Sequence, residues 1–141
     1  MSSIPLHYID LRTFCYVTED DSRVEDALRT FLPEEFEIER MESTGHAGDR
    51  IIVLSARVEK ADDLRTVLDR LGDLPDDEFD RIRDELDERV TENCEFFLTL
   101  DKQAAFNGTA TLGDGIKLRG KVEAYPAKKP AAVENVEEML E

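Results

Sequence analysis

The 141-residue sequence has little cysteine, no tryptophan and no long apolar run. Because no stretch approaches the ~20 apolar residues that span a bilayer, we expect no transmembrane helix and no membrane partner. The first residues lack the basic and apolar regions of a secretory leader, so we expect a cytoplasmic protein. The two cysteines, Cys15 and Cys94, have no CxxC spacing. That pattern favours two buried thiols over a disulfide or a metal site.

Residues suited to catalysis are also scarce. The two histidines are His7 and His46, and His46 lies in a glycine-flanked turn typical of an ordinary loop. No serine lies in the strand-to-helix setting of a nucleophile elbow, and no cysteine and histidine lie close in sequence. The acidic run at 73–80 lacks the central glycine and the spacing of a calcium loop, which favours carboxylates at a helix start. We therefore expect a protein that is not an enzyme and uses no metal or cofactor.

Basic residues are few, and lysine is the rarer kind. The chain has 18 Lys+Arg against 34 Asp+Glu, a formal net charge of −16, and six of the basic residues are lysines. Dispersed carboxylates with few lysines are typical of a protein from a molar-salt cytoplasm, where the Debye length is only ~3 Å. We therefore interpret the chain as halophilic and expect local charge to matter more than net charge.

Positive charge is concentrated in residues 94–132. This window has six basic and four acidic residues, a net +2, whereas the remainder has 12 basic and 30 acidic residues, a net −18. Five of the six lysines lie in the window. A strongly acidic chain therefore carries one stretch of positive charge.

Hydrophobic periodicity predicts an α+β fold. Alternation of polar and apolar residues predicts four strands before residue 102, at 6–17, 36–42, 50–59 and 94–101, the second and third joined as a hairpin. Helical spacing predicts four helices, at 18–32, 61–71, 75–90 and 131–140. Residues 102–125 predict a loop and a final hairpin, TATL and IKLRGKVEAY. The order, roughly βαββααβββα, indicates a single domain over 1–141, with a largely antiparallel sheet and helices packed on one face.

The last long strand has one apolar face and one cationic face. Lys117, Arg119 and Lys121 alternate with apolar residues, so the three cations point the same way. Same-face residues of a strand are ~7 Å apart, which roughly matches phosphate spacing along a nucleic-acid strand. Two interpretations stay open: a solvated face whose cations pair with neighbouring acids, or a surface that binds an anion such as RNA.

One face of the first strand carries Arg12 together with Tyr8, Phe14 and Tyr16. If that face is open, an arginine among aromatic rings is suited to stacking on bases and contacting phosphates. If a helix covers it, the aromatic residues belong to the core. We favour the core for these aromatic side chains.

Four segments resemble a family of small archaeal proteins described as RNA-binding and as predicted exosome subunits: HYIDLRTFCYVTED, GDRIIVLSARVEKADDLRTVLDRL, NCEFFLTLDKQAAFNG and IKLRGKVEAYPAKK. The most distinctive pieces are LDKQAAFNG (Leu100–Gly108) and KVEAYPAKK (Lys121–Lys129). The family is similar in fold to the large-subunit ribosomal protein that binds 5S RNA. The resemblance covers nearly the whole chain and implies an RNA-binding protein, here in a salt-adapted archaeal version.

Pattern and resemblance together predict a non-catalytic RNA-binding protein that is an accessory to RNA processing or degradation, with exosome or ribosomal components as partners. The candidate phosphate contacts are Lys117, Arg119 and Lys121, extended by Lys102, Lys128 and Lys129, with Arg12 and Arg57 as weaker additions. The alternative is a protein-docking module of such an assembly, which would bind through a sheet edge or the apolar side of the last helix. The RNA target and the oligomeric state stay open.

The excess of carboxylates predicts folding that depends on salt. Because 34 carboxylates repel one another when unscreened, added salt should stabilise the compact state. The midpoint of thermal unfolding, followed by circular dichroism in a KCl series, should climb well into the molar range. A midpoint that is the same at low and molar KCl would contradict the halophilic interpretation.

Overall fold

The structure, a computed structural model, describes residues 4–44 and 48–140. Its strands are β1 (Leu6–Cys15), β2 (Glu39–Thr44), β3 (Arg50–Val58), β4 (Glu95–Asp101) and β5 (Gly115–Val122). Its helices are α1 (Asp21–Arg29), α2 (Ala61–Leu71), α3 (Asp76–Asp84), α4 (Leu86–Arg89), α5 (Lys102–Phe106) and α6 (Lys129–Met139). The turn predicted around His46 spans 43–48; its residues 45–47, which include His46, lie outside the described residues, and residues 43 and 44 belong to β2.

The five strands form one sheet in the spatial order β2-β3-β1-β5-β4, and every neighbouring pair is antiparallel. The central strand β1 therefore pairs with two strands that lie far from it in sequence. β2 and β3 form the predicted hairpin. The helices pack on one face, which we call the inner face. The predicted α+β class with a largely antiparallel sheet is confirmed.

The core lies between the inner face and the helices. The inward residues of β1 are all buried: Ile9, Leu11, Thr13 and Cys15. Thr13 is the polar member of this row, and its hydroxyl donates to the Gly115 carbonyl at 2.7 Å. Cys15 and Cys94 are both buried and free, as the sequence predicts. On β5, Leu118 is buried and Lys117 is exposed, so the predicted alternation is confirmed.

Helix starts follow the local chemistry. Asp20 caps α1, because its carboxylate accepts from the Ser22 amide at 2.9 Å. Pro75 immediately precedes α3, whose first turn is acidic and suits the helix dipole. The helix predicted at 75–90 is interrupted at Glu85 and becomes α3 and α4.

Only one of the two strands predicted within 102–125 forms, namely β5; residues 109–112 are not a strand. Residues 102–106 form α5 instead of a loop, because Asp101 caps the segment by accepting from the Ala104 amide at 2.8 Å. Of the predicted strand at 109–112, Leu112 alone forms a bridge, with Leu100. The predicted order βαββααβββα therefore has one strand too many and lacks α5.

A carboxylate from α3 bonds to the segment 109–112. Glu78 accepts from the Leu112 amide at 2.6 Å and from the Thr111 hydroxyl at 2.6 Å. The segment also bonds to β4, because the Asp101 amide donates to the Thr111 carbonyl at 2.9 Å and the Gly113 amide donates to the Thr99 carbonyl at 3.1 Å. The Leu112 amide points away from β4, where Glu78 satisfies it. The acidic residues predicted as solvated carboxylates at a helix start therefore include one with a specific partner.

The two faces of β5 predict different costs of truncation. Leu118→Ala should lower the free energy of unfolding by ~2–5 kcal/mol because it leaves a cavity in the core. Lys117→Ala should change it by no more than ~0.5 kcal/mol, as an exposed substitution. Denaturant titration at molar KCl measures both values. Equal costs at the two positions would mean that the assigned faces are wrong.

Candidate nucleic-acid interface

The outer face of the sheet is the side opposite the helices, and it carries most of the candidate residues. Tyr8, Asp10, Arg12 and Phe14 of β1 point outward, beside the outward residues of β3 and β5. Tyr8 and Phe14 are half-buried, and Tyr16 is 48 % exposed. The prediction that these aromatic residues belong to the core is therefore wrong, because the helices cover the other face of β1.

Asp10 holds two arginines at the centre of this face. Strand pairing puts Arg57 on one side of Asp10 and Arg119 on the other. Arg57 donates through Nε at 2.8 Å and through a terminal nitrogen at 3.0 Å, and Arg119 donates at 2.6 Å. Arg119 also lies 3.4 Å from Glu95 on β4. Two of the predicted phosphate contacts are therefore bound to carboxylates of the protein.

Charge and ring stacking hold this network in place. Burial of Asp10 raises the pKa of its carboxyl, but the hydrogen bonds from Arg57 and Arg119 outweigh burial and hold the pKa below its ordinary value. The Arg57 guanidinium lies over the Tyr8 ring, 4.0 Å from its centroid, and that of Arg119 lies 6.0 Å away. Cation–π attraction adds to the ion pairs, so both guanidiniums are oriented by the protein itself.

Arg12 and Lys117 form the part of the face whose charge is unneutralised. They lie directly opposite each other on β1 and β5, and both are exposed. Within residues 4–44 and 48–140, neither side chain forms an ion pair or a hydrogen bond. Their neighbours on the flanking strands are the neutral Ser55 and Thr99. We call these two residues the Arg12–Lys117 pair.

The remaining predicted lysines are separated from this pair. Lys121 lies opposite Glu95, and its ammonium donates to the Asn93 carbonyl at 2.5 Å. Lys128 is exposed just before α6, while Lys129 lies 3.7 Å from Asp87 of α4 in the helix layer. The structure therefore brings Lys121 to the face with its ammonium already bonded, and it leaves the two C-terminal lysines beside the helices.

Lys102 has a structural role at the end of β1. Its ammonium donates to the Phe14 carbonyl at 3.1 Å and lies 2.8 Å from Glu19. It also lies 5.5 Å from the centre of the Tyr16 ring. These contacts fasten α5 to the end of β1 and orient Tyr16. The distinctive segment LDKQAAFNG thus positions an exposed aromatic ring of the candidate interface.

Aromatic rings, two of them exposed, lie on both sides of the Arg12–Lys117 pair. Phe14 and Tyr16 lie with ring centroids 6.4 Å apart and their planes tilted by 36°. On the other side, Phe97 of β4 lies opposite Arg119 and is 39 % exposed. Sequence reasoning missed Phe97 as a site residue. The sequence does offer one signal. Phe97 alternates with two apolar residues that point inward, Phe96 and Leu98, so its own ring points outward.

Other kinds of site are not evident in the described part of the chain. No group of three or more histidine, cysteine or acidic side chains is arranged to hold a metal ion there. Nor is any helix among residues 4–44 and 48–140 both long enough and apolar enough to cross a membrane. The arrangement that remains is an open sheet face with two unpaired cations and two exposed rings, Tyr16 and Phe97, which suits a polyanion that carries stacking groups.

The lowered pKa of Asp10 predicts a pH-dependent contribution to stability. Because that pKa is lower in the folded than in the unfolded state, the contribution is present above the unfolded pKa and is lost as the pH falls through the folded pKa. Asp10→Asn should lower the free energy of unfolding by about 1–2 kcal/mol at pH 7, since hydrogen bonds to a charged group are lost from a half-buried site. The difference from the parent should shrink below about pH 4.

Chemical denaturation at a series of pH values, at constant molar KCl, measures this difference. The control is Asp87→Asn, which removes an exposed carboxylate 3.7 Å from Lys129 and should cost no more than about 0.5 kcal/mol at any pH. A cost for Asp10→Asn that stays constant down to acid pH would show that the charge of Asp10 is not what stabilises the sheet.

Known proteins resemble this chain over almost its full length. RNA-binding protein PAB1135 from Pyrococcus abyssi is 36 % identical over 144 aligned positions, which cover 96 % of this chain and 94 % of that protein. The structure of Mth689, a DUF54 protein from Methanothermobacter thermautotrophicus, is 37 % identical with a TM-score of 0.77, covering 96 % and 98 % of the two chains. The crystal structure of protein AF2318 from Archaeoglobus fulgidus has a TM-score of 0.85 at 26 % identity, covering 95 % and 99 %.

A family model described as RNA binding matches residues 8–122. The match covers β2 to β5 in full and β1 from Tyr8 onward, and it therefore includes the outward residues of the sheet named above. Since it covers most of the chain, and since a relative named as an RNA-binding protein is more than one third identical, the protein belongs to this RNA-binding family, which has archaeal members.

Proposed function

We propose that the protein binds RNA directly and without catalysis, through the outer face of its sheet, with the Arg12–Lys117 pair as the main phosphate contact. Residues 1–141 act as one RNA-binding unit in this proposal. The observation that carries it is the neighbouring, unneutralised charge of Arg12 and Lys117 on an open sheet face. Membership of the RNA-binding family supports RNA as the ligand.

Most other basic residues are paired with carboxylates, so the unneutralised charge of Arg12 and Lys117 is unusual. Eleven of the 18 basic residues, all of them in the described ranges, lie in ion pairs with a carboxylate. In a chain with 34 acidic residues, such pairing is the expected state of a surface cation. Arg12 and Lys117 are both without such a carboxylate partner in the described ranges, and they lie side by side on two strands. A phosphate group would supply the anion that the protein does not.

Exposed rings give the face a second means of binding RNA. Tyr16 and Phe97 lie toward two sides of the Arg12–Lys117 pair, and their exposure leaves ring surface for unpaired bases. Base stacking on an aromatic side chain contributes ~1–3 kcal/mol per base and tolerates any sequence. Duplex RNA offers no unstacked bases. The preferred ligand in this proposal is therefore single-stranded RNA, bound with little sequence preference.

The wider role extends the same proposal. We place the protein in a salt-rich archaeal cytoplasm, as an accessory to RNA processing or degradation with exosome or ribosomal components as partners. The dispersed carboxylates support the salt-rich setting. The resemblance of the sequence to predicted exosome subunits, and the similarity of that family in fold to the 5S-RNA-binding ribosomal protein, support the RNA-processing setting.

The alternative, a protein-docking module, depends on surfaces other than the outer face. The apolar side of α6 is not available for docking, because Ala132 and Val136 are buried against the core. A sheet edge remains available at β2. Nuclease treatment of a native-salt lysate separates the two functions, since a docking module keeps its partner after the RNA is digested.

The RNA proposal predicts a loss of salt-dependent binding when the pair is removed. Arg12→Ala/Lys117→Ala should weaken binding to unrelated single-stranded RNAs alike. The slope of log affinity against log salt should flatten by about 1.4, since each phosphate contact contributes about −0.7. Fluorescence anisotropy with end-labelled oligoribonucleotides, starting at the lowest KCl at which the protein is folded, measures both quantities.

The matched control is Lys60→Ala/Arg70→Ala. It removes the same two charges from exposed positions beside and within α2, and neither residue has a carboxylate partner in the described ranges. This variant should keep the affinity and the slope of the parent to within a few tenths. If the Arg12→Ala/Lys117→Ala variant is folded and binds as the parent does, the outer face is only a solvated surface and the docking alternative is favoured.

A further inference from the structure

The two edges of the sheet differ in whether their backbone is covered. At the β4 edge, Val90 bridges to Phe96 and Leu112 bridges to Leu100. The Gly113 amide also donates to the Thr99 carbonyl at 3.1 Å. At the other edge, all six residues of β2 are exposed, and none of the described residues pairs with its outer side. β2 therefore presents a row of unpaired backbone groups to which another strand is able to add.

The side chains of β2 carry a definite charge pattern. Arg40 and Glu42 lie opposite Leu54 and Ile52, so both point to the helix side of the sheet. Arg40 is bonded to Asp21 at 2.5 Å, and Glu42 lies 3.7 Å from Arg50. Between them, Met41 points to the outer face and is 69 % exposed. The β2 edge therefore carries an arginine and a glutamate on the inner face. Between them, an exposed apolar side chain lies on the outer face.

We propose that β2 pairs with β2 of a second copy of this chain, antiparallel and with Met41 opposite Met41 of the partner. In this register each Arg40 lies opposite the partner's Glu42, and the two exposed methionines contact each other across the dimer axis. Along the inner face the charges alternate, from Asp21 to Arg40, then to the partner's Glu42 and the partner's Arg50. Opposite charges that face each other across strands favour pairing.

Alternative registers lack this complementarity. A shift by one residue would place inward side chains opposite outward ones, because side chains alternate along a strand. A shift by two residues would put either Arg40 opposite Arg40 or Glu42 opposite Glu42, and like charges directly opposite each other oppose pairing. The charge pattern therefore specifies both the occupant, which is the same strand, and its register.

The consequence is a continuous ten-stranded sheet whose two outer faces lie on the same side. Two Arg12–Lys117 pairs would then belong to one surface. Because each copy carries a net charge of −16, assembly should require molar salt, which screens the repulsion between copies. The dimer does not rest on the proposed RNA binding, and self-association is measured without RNA.

The first test is a charge-reversal pair measured by light scattering after size exclusion at molar KCl. The parent should show twice the 16.1 kDa chain mass. Arg40→Glu alone and Glu42→Arg alone should each raise the dissociation constant about tenfold, because attractive pairs become repulsive. An equimolar mixture of the two variants should recover the parent's dissociation constant, since both cross-strand pairs are then complementary. Arg70→Glu, a reversal on α2, should dimerise as the parent does.

The second test is independent of any effect of those charges on folding. With Met41→Cys, a short thiol-to-thiol cross-linker should join two chains covalently, because position 41 faces itself across the axis. Ser43→Cys should give little cross-linked product, because position 43 faces position 39 of the other copy. The native thiols do not interfere, since both are buried.

A parent that stays monomeric over the whole concentration range at molar KCl would overturn the proposal, and the β2 edge would then be left to a strand of another protein. Equal cross-linking of the two cysteine variants would also overturn it, because the register would be wrong. Failure of the mixed variants to associate, with each of them folded by circular dichroism, would show that Arg40 and Glu42 do not meet.

Discussion

Pairing of β1 along both of its edges is the constraint on which the rest of the structure depends. It brings β3 and β5, which are far apart in sequence, to the two sides of one strand, and so places Arg57 and Arg119 around Asp10. A slip of β5 by one residue would turn Arg119 into the core and Leu118 outward. The apolar core on one face and the Asp10 network on the other therefore require the same register.

The fold was predictable where a segment's structure depends on its own residues. Alternation assigns the two faces of β5, and the acidic start of α1 marks its cap, because both signals lie within a few positions of the element. The segment predicted as a strand at 109–112 is instead held by residues distant in sequence. Glu78, far earlier in the chain, accepts from the Leu112 amide, and Leu112 bridges to Leu100 of β4. A contact between distant residues leaves no trace in the local pattern.

The candidate site was predictable only in part for the same physical reason. By alternation alone Lys117, Arg119 and Lys121 are equivalent, and Arg12 is a weaker addition. The structure distinguishes them by their partners, since Arg119 is held by Asp10 and Lys121 by the Asn93 carbonyl, while Arg12 lies beside Lys117. Strand order decides which carboxylate meets which cation, and a single sequence does not show strand order. It also does not show which face of β1 the helices cover.

Screening of charge by salt bears on both the outer face and the β2 edge. At molar salt the Debye length is only ~3 Å, so two unpaired cations add little to the affinity for a polyanion at a distance. Stacking on exposed rings such as Tyr16 and Phe97 depends far less on salt. In the proposed dimer, joining two faces in one sheet would add a further gain, because the second contact of a bound RNA becomes intramolecular. If the protein binds RNA at molar salt as proposed, screening gives it a physical reason to rely on short-range stacking and to present the Arg12–Lys117 pair twice.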